Sequence, residues 1–221
     1  MNPLTHDQAE QRAHPPQRLG ILLSGRGSNF LAIARSIREG RLPNVEIAVV
    51  ISNVPDAPGI QAARDLGLST AIHISKGRPR ADHDADLIAT LRQHHVDLVC
   101  LAGYMRLLSP AFIAAFPNRI LNIHPSLLPA FPGLDAQQQA FDYGVKVAGC
   151  TVHFVDEHLD HGAIILQRAI PVPDMDKDTD GAHRLAELIL VEEHIAYTEA
   201  IARVASGEYE IQGRRHIQRS K

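Results

Sequence analysis

Short apolar runs alternate along this chain with longer stretches in which apolar positions recur every three or four residues. The apolar runs at 19–23, 45–52, 70–74, 96–101, 119–124 and 147–155 are rich in Leu, Ile and Val and have the length of strands. Between them, 28–39, 58–67, 81–94, 109–115 and 135–143 carry helical periodicity. Strands that alternate with helices predict βαβ units, hence an α/β fold built on an open, mainly parallel twisted sheet with helices on both faces. Ser109-Pro110 has the cap and first-turn proline of a helix start, and Asp82 is placed to open the helix before it.

The pattern changes after residue 146. Val147–Val155, the turn-like segment Asp156–Gly162 and Ala163–Val172 predict an antiparallel hairpin with a wide loop. A final helix over about Thr179–Ala205 has apolar positions at Ala182, Leu185, Ala186, Leu188, Ile189, Ile195 and Ile201. No repeat, low-complexity tract or linker divides the chain. The expected organisation is one domain at 18–205, a polar, disordered extension at 1–17 and a tail at 206–221. The basic residues of that tail, Arg214, Arg215, Arg219 and Lys221, read as a solvated end.

Composition narrows the setting. A chain of 221 residues can bury a core without staples. Cys100 and Cys150 fall in apolar, strand-like runs, which favours buried free thiols and a reducing compartment. No apolar stretch approaches the ~18 residues of a membrane span. The first 17 residues have no hydrophobic signal core, so the expected location is the cytoplasm. A formal net charge of −3 supplies no footprint for nucleic acid. The expected partners are small molecules, with no membrane, in a monomer or homodimer.

Two segments carry candidate chemistry. In Asn122-Ile123-His124-Pro125-Ser126-Leu127-Leu128-Pro129, Asn122 and His124 are two apart and project from the same face of a strand end. An amide can hold a developing oxyanion while an imidazole moves protons, so the pair suits acyl-group chemistry. In Ser24-Gly25-Arg26-Gly27-Ser28-Asn29, glycines lie between the first strand and the first helix, where free N–H groups and a positive dipole end favour phosphate. Phe30 replaces the third glycine of a dinucleotide fingerprint, and Ser52-Asn53 ends the second strand without a ribose-gripping acid. No Gly-Lys-Ser/Thr follows, which excludes a P-loop. A phosphomonoester site remains. Ser126 lacks a Gly-x-Ser-x-Gly elbow and is a poor nucleophile.

These two segments join Leu101-Ala102-Gly103-Tyr104-Met105-Arg106-Leu107-Leu108-Ser109-Pro110-Ala111-Phe112 and Gly149-Cys150-Thr151-Val152-His153-Phe154-Val155, the latter running on to Leu159-Asp160. Together they resemble the phosphoribosylglycinamide formyltransferases, folate-dependent enzymes of purine synthesis, over about residues 18–205. The resemblance implies transfer of a formyl group from 10-formyltetrahydrofolate to the amine of N1-(5-phosphoribosyl)glycinamide, without a metal. It implies that Asn122, His124 and Asp160 are catalytic. It also implies that Gly27, Ser28 and Asn29 take the substrate phosphate and that Glu193 meets the ribose hydroxyls. On the folate side it implies Arg80, Asn122 and the segment Met105, Arg106, Leu107 and Leu108, whose backbone would read the pterin. Asp160 would pair with His124 and keep it cationic. Spacing alone does not choose Asp160 over Asp156 or Glu157.

The chain departs from the family pattern at His83, at Asp135-Ala136-Gln137, at His161 and at Thr198. The related methionyl-tRNA formyltransferases and formyltetrahydrofolate hydrolases usually carry an extra domain, for which this chain is expected to have no room. A non-catalytic phosphosugar or folate binding module is the rival from another class. A zinc site from His153, Glu157, His158 and His161 is the metal alternative, but it lacks the helical His-Glu-x-x-His register.

Overall fold

The structure, a computed structural model, describes residues 15–174 and 180–219. Its elements follow as β1 (Gln17–Leu23), α1 (Ser28–Arg38), β2 (Val45–Ser52), α2 (Pro58–Asp65), β3 (Thr70–Ile72), α3 (Arg80–Gln93), β4 (Leu98–Leu101) and α4 (Pro110–Ala115). The second half holds β5 (Ile120–His124), α5 (Ala136–Tyr143), β6 (Val147–Phe154), β7 (Ile164–Pro171), α6 (Gly181–Ala205), β8 (Tyr209–Gln212) and β9 (Arg215–Gln218). All nine strands form one sheet in the order β3-β2-β1-β4-β5-β6-β7-β9-β8. The strands from β3 to β5 run parallel, whereas β6 pairs antiparallel with both β5 and β7. The fold is thus the expected α/β class, with a mainly parallel sheet and an antiparallel hairpin and helix toward the C-terminus.

Two apolar layers sandwich the sheet. On one face Leu19, Ile21 and Leu23 of β1 meet Phe30 and Ile33 of α1, Ile60 of α2 and Leu185, Ile189 and Ile201 of α6. On the other, Leu22, Val99 and Ile120 meet Leu87 and Leu91 of α3 and Phe112 of α4. Each such side chain contributes roughly 1.5–3 kcal/mol when fully buried, so the two layers supply the main stabilisation. Gly20 lets α3 approach: a Cβ there would lie 2.4 Å from Leu91 Cδ2. Tyr197 on α6 is fully buried. Its hydroxyl lies 3.0 Å from the carbonyls of both Leu101 and Leu121, which ties α6 to β4 and β5.

Local signals place several boundaries. Ser109 caps α4, its Oγ accepting from Phe112 N at 3.3 Å, with Pro110 in the first turn. The third helix begins earlier than Asp82: Pro79 holds the extended position before Arg80, and Asp82 sits in the first turn. Thr198 bonds back to His194 O at 3.1 Å and lies 3.0 Å from Ser36 Oγ of α1.

The ends of the chain depart from expectation. Residues 1–14 lie outside the described residues, and Gln17 already belongs to β1, paired with Val45. The segment read as a solvated tail instead forms the hairpin β8–β9, which extends the sheet beyond β7. Gly213, at φ 60°, makes the tight turn. Tyr209 and Ile211 face the core, Tyr209 stacking on Phe154 with ring centroids 5.9 Å apart. Arg214 and Arg215 point outward.

Candidate active site

The strand order reverses beside β1, with β2 on one side and β4 on the other, so the carboxyl ends of β1 and β4 diverge. Open α/β sheets bind ligands at such a switch point. Here a hollow of about 270 Å³ is lined by Ser24–Asn29, Ala102, Gly103 and Met105. Gly27 adopts the left-handed conformation, φ 74° and ψ 30°, immediately before α1. A Cβ at Gly27 would lie 3.0 Å from Gly59 Cα, so glycine meets both the conformation and the close approach of α2. The loop delivers the first N–H groups of α1 to the hollow, where they have no intrahelical partner and lie at the positive end of the helix.

Ser24 joins this loop to the next. Its Oγ donates to Asn53 Oδ1 at 2.6 Å and accepts from Met105 N at 2.8 Å. Asn53 in turn donates to Ser75 Oγ at 3.0 Å. Asn29 donates through Nδ2 to Glu193 Oε2 at 2.8 Å, linking the glycine loop to α6. Burial raises the Glu193 carboxyl above its ordinary range, and the Asn29 amide partly offsets that by stabilising the anion.

A second polar cluster gathers at the end of β5. Asn122 lies beside Leu101 of β4 and opposite His153 of β6, while His124 lies opposite Thr151. His153 Nδ1 donates to Phe154 O at 2.7 Å, which leaves Nε2 as the acceptor for Asn122 Nδ2 at 3.2 Å. Burial lowers the His153 pKa, in keeping with that neutral tautomer. The tautomer assigned by the network thus orients the Asn122 amide, with one N–H spent on His153 and the second N–H left over.

His124 has an acceptor at each ring nitrogen. Nε2 donates to Phe131 O at 2.8 Å, and Nδ1 lies 3.4 Å from Asp160 Oδ2. Asp160 has φ 49° and accepts from Gly133 N at 2.8 Å, so the β6–β7 loop is held against the segment after β5. Its rivals lie elsewhere: Asp156 pairs with His161 at 2.9 Å. Thr151 Oγ1 donates to Ser126 O at 2.7 Å and accepts from Leu128 N at 3.0 Å, fixing the turn beyond His124. Ser126 donates to Ala130 O at 2.5 Å.

The residues expected on the folate side divide. Met105 lines the hollow at 72% exposure, and Leu107 is exposed nearby in sequence at 54%, whereas Leu108 is buried. Arg106 donates to Ser75 O at 2.8 Å and Arg78 O at 2.9 Å, bracing the turn before α3 with its guanidinium. Arg80 is exposed at the start of α3, outside the hollow's lining. His83 is buried, bonded through Nε2 to His73 O at 2.8 Å, and neighbouring Asp84 accepts from Ser109 N at 2.6 Å. A larger hollow of about 510 Å³ lies at the opposite ends of the strands, between Gln17, Asp97, Asn118 and Tyr209, away from both polar clusters.

The structure therefore brings Asn122, His124 and Asp160 together, and separately brings Gly27–Asn29 to Glu193. Two residues were not singled out for these places by sequence reasoning. Alternation along β6 puts His153 on the face of Thr151, but only the β5–β6 register sets it opposite Asn122. Ser24 stands in the glycine loop, but its bridge to Met105 spans 81 residues.

Fold and site together define an open α/β protein with a phosphate-type glycine loop and an amide–imidazole–carboxylate cluster at its strand ends. The chain belongs to the formyl transferase family, whose pattern matches residues 17–201. It is 43% identical over 161 residues to the phosphoribosylglycinamide formyltransferase of Bacillus subtilis (strain 168), covering 72% of this chain and 82% of that relative. It is 42% identical over 194 residues to the trifunctional purine biosynthetic protein adenosine-3 of Drosophila melanogaster, covering 86% of this chain but spanning only 14% of that relative's length. The crystal structure of glycinamide ribonucleotide transformylase 1 from Symbiobacterium toebii superposes with a TM-score of 0.87 at 51% identity, covering 93% of this chain and 95% of that one.

Proposed function

We propose that this chain transfers the formyl group of 10-formyltetrahydrofolate to the amine of N1-(5-phosphoribosyl)glycinamide, a step of purine biosynthesis. The observation that carries the reading is the Asn122, His124 and Asp160 cluster, one strand away from a glycine loop suited to phosphate. Gly27, Ser28 and Asn29 hold the substrate phosphate at the start of α1. Glu193, anchored by Asn29, meets the ribose hydroxyls. The folate lies along Met105–Leu108, its tail toward Arg80.

The substrate amine attacks the formyl carbon, forming a C–N bond while the carbonyl π pair moves to oxygen. The remaining N–H of Asn122 and the N–H at Nε2 of His124 hydrogen-bond that oxyanion. Nε2 exchanges the Phe131 carbonyl for the oxyanion at this step, so the segment after β5 shifts as substrates bind. Asp160 balances the imidazolium and passes the amine proton through water toward the folate nitrogen. Collapse of the intermediate breaks the bond to that nitrogen, which leaves protonated. No covalent enzyme intermediate or metal takes part.

The partners are these two small molecules, acting on a monomer or homodimer with no nucleic acid. A reducing, cytoplasmic setting fits Cys100 and Cys150, free and buried thiols whose pKa burial pushes to about 12. Among the described residues, no helix is long and apolar enough to cross a membrane. Purified protein supplied with both substrates is expected to generate the absorbance change of the deformylated folate. No change above the enzyme-free rate overturns the assignment.

A further inference from the structure

The β6–β7 loop holds a second set of polar side chains that formyl transfer does not use. Asp156, His158 and His161 each offer one donor atom, and the three atoms lie within 4.8 Å of one another. Asp156 Oδ2 is 2.9 Å from His161 Nδ1, and Asp156 Oδ1 is 3.9 Å from His158 Nδ1. The two imidazole rings lie with centroids 5.1 Å apart, tilted by 54°. The side-chain hydrogen bonds of this set run within the loop itself. His158 N also donates to Asp156 Oδ1 at 2.9 Å, which fixes the carboxylate toward both rings.

Tetrahedral coordination with bonds of about 2.0–2.2 Å requires donor atoms roughly 3.3–3.6 Å apart. The 2.9 and 3.9 Å separations run to the two different oxygens of Asp156, and one donor atom from each residue lies within 4.8 Å of the others, so side-chain rotation that turns a single Asp156 oxygen toward both rings closes the set around one ion. Two imidazole nitrogens and one carboxylate oxygen select a borderline cation over Mg²⁺ or Ca²⁺, which prefer all-oxygen shells. With His158 75% exposed at its side chain, the ion has direct access, and the fourth position is left to water. The set differs from the zinc alternative read in the sequence. His153 is committed to Asn122, and Glu157 does not join the cluster.

We propose that Asp156, His158 and His161 form a binding site for a divalent cation of the Zn²⁺ class, and that the bound ion ties down the turn carrying Asp160. Asp160 lies between His158 and His161 in sequence and already holds a left-handed backbone, φ 49°. An ion gripping the residues on both sides restricts the motion of the side chain that faces His124. The site stands apart from the formyl-transfer chemistry and supplies it with no ligand.

Isothermal titration of tag-free protein with ZnCl₂, in the absence of either substrate, tests the site directly. One high-affinity equivalent is expected, with a zinc-dependent rise in melting temperature. The His158→Ala/His161→Ala variant is expected to lose affinity by at least about 100-fold and to lose that rise. His183→Ala, which removes another exposed imidazole on α6, is expected to bind as the parent does. If the double variant fails to fold, His158→Ala alone serves, because that side chain is largely in solvent, and it is expected to weaken binding at least about tenfold. No high-affinity binding by the parent, or undiminished binding by the loop variants, overturns the proposal. These outcomes are independent of the formyl-transfer assay.

Discussion

The glycine loop and the β5-end cluster lie one strand apart, yet they are built in opposite ways. The loop is six consecutive residues whose shape follows from local rules: a strand ends, Gly27 takes a left-handed conformation and a helix starts. The cluster is assembled from Asn122 and His124 on β5, His153 on β6 and Asp160 beyond it, with carbonyls and amides from a third segment. Local construction suits a site that grips a fixed anion. Assembly across strands lets neighbouring groups set proton positions, as His153 does for Asn122. Under the proposed function, the first region binds and the second does the chemistry.

The strongest way to break that division is to alter the cluster and find turnover intact. Asn122→Ala removes an oxyanion donor, and Asp160→Asn removes the charge facing His124. Each is expected to lower kcat on the order of 10²–10³ with substrate KM little changed, as measured by steady-state formyl transfer. A smaller effect sharpens the account. His153→Ala leaves the Asn122 amide without its acceptor, and misplacement of that donor is expected to cost about 10–10² in kcat. If His153 only fills space, a packing substitution such as His153→Leu restores the rate; if it orients Asn122, only a hydrogen-bond acceptor does.

Changes in the glycine loop are expected to show the reverse split. Gly27→Ala places a Cβ 3.0 Å from Gly59 Cα at φ 74°. It is expected to cost about 1–2 kcal/mol of stability and to raise KM for the phosphorylated substrate more than it lowers kcat. Chemical denaturation and steady-state kinetics read both. A drop confined to kcat would contradict a binding role.

The smallest effect concerns Glu193. Burial raises its folded-state pKa above the ordinary 4.5. The unfolded chain therefore releases this proton first, and the contribution to stability is complete below 4.5 and declines as pH rises through the folded value. Glu193→Gln is expected to flatten that decline in melting temperature across the acid-to-neutral range. Parallel melting curves for parent and variant would show that the carboxyl is not perturbed.

Much of the α/β framework was legible because its signals are local. The alternation of apolar runs and helical periods, the Ser109-Pro110 start and the shared face of Asn122 and His124 all follow from near neighbours in sequence. Three features were not legible in this way. Asp160 and Asp156 lie four residues apart with similar surroundings in sequence, and only the left-handed turn at Asp160 aims one of them at His124. Glu193 looks like a solvated helix position until Asn29, 164 residues away, is packed against it. The hairpin β8–β9 has strands of four residues each, too short for alternation to stand out, and its apolar Tyr209 and Ile211 find partners in Phe154 and the core it belongs to, far away in sequence.

The most direct test of the central claim is the rate of formyl transfer by His124→Ala at saturating concentrations of both substrates, with the melting temperature taken on the same sample. The account predicts a fall in kcat on the order of 10²–10³ in a protein that still melts cooperatively. A folded His124→Ala protein whose turnover stays within a few-fold of the parent would contradict it.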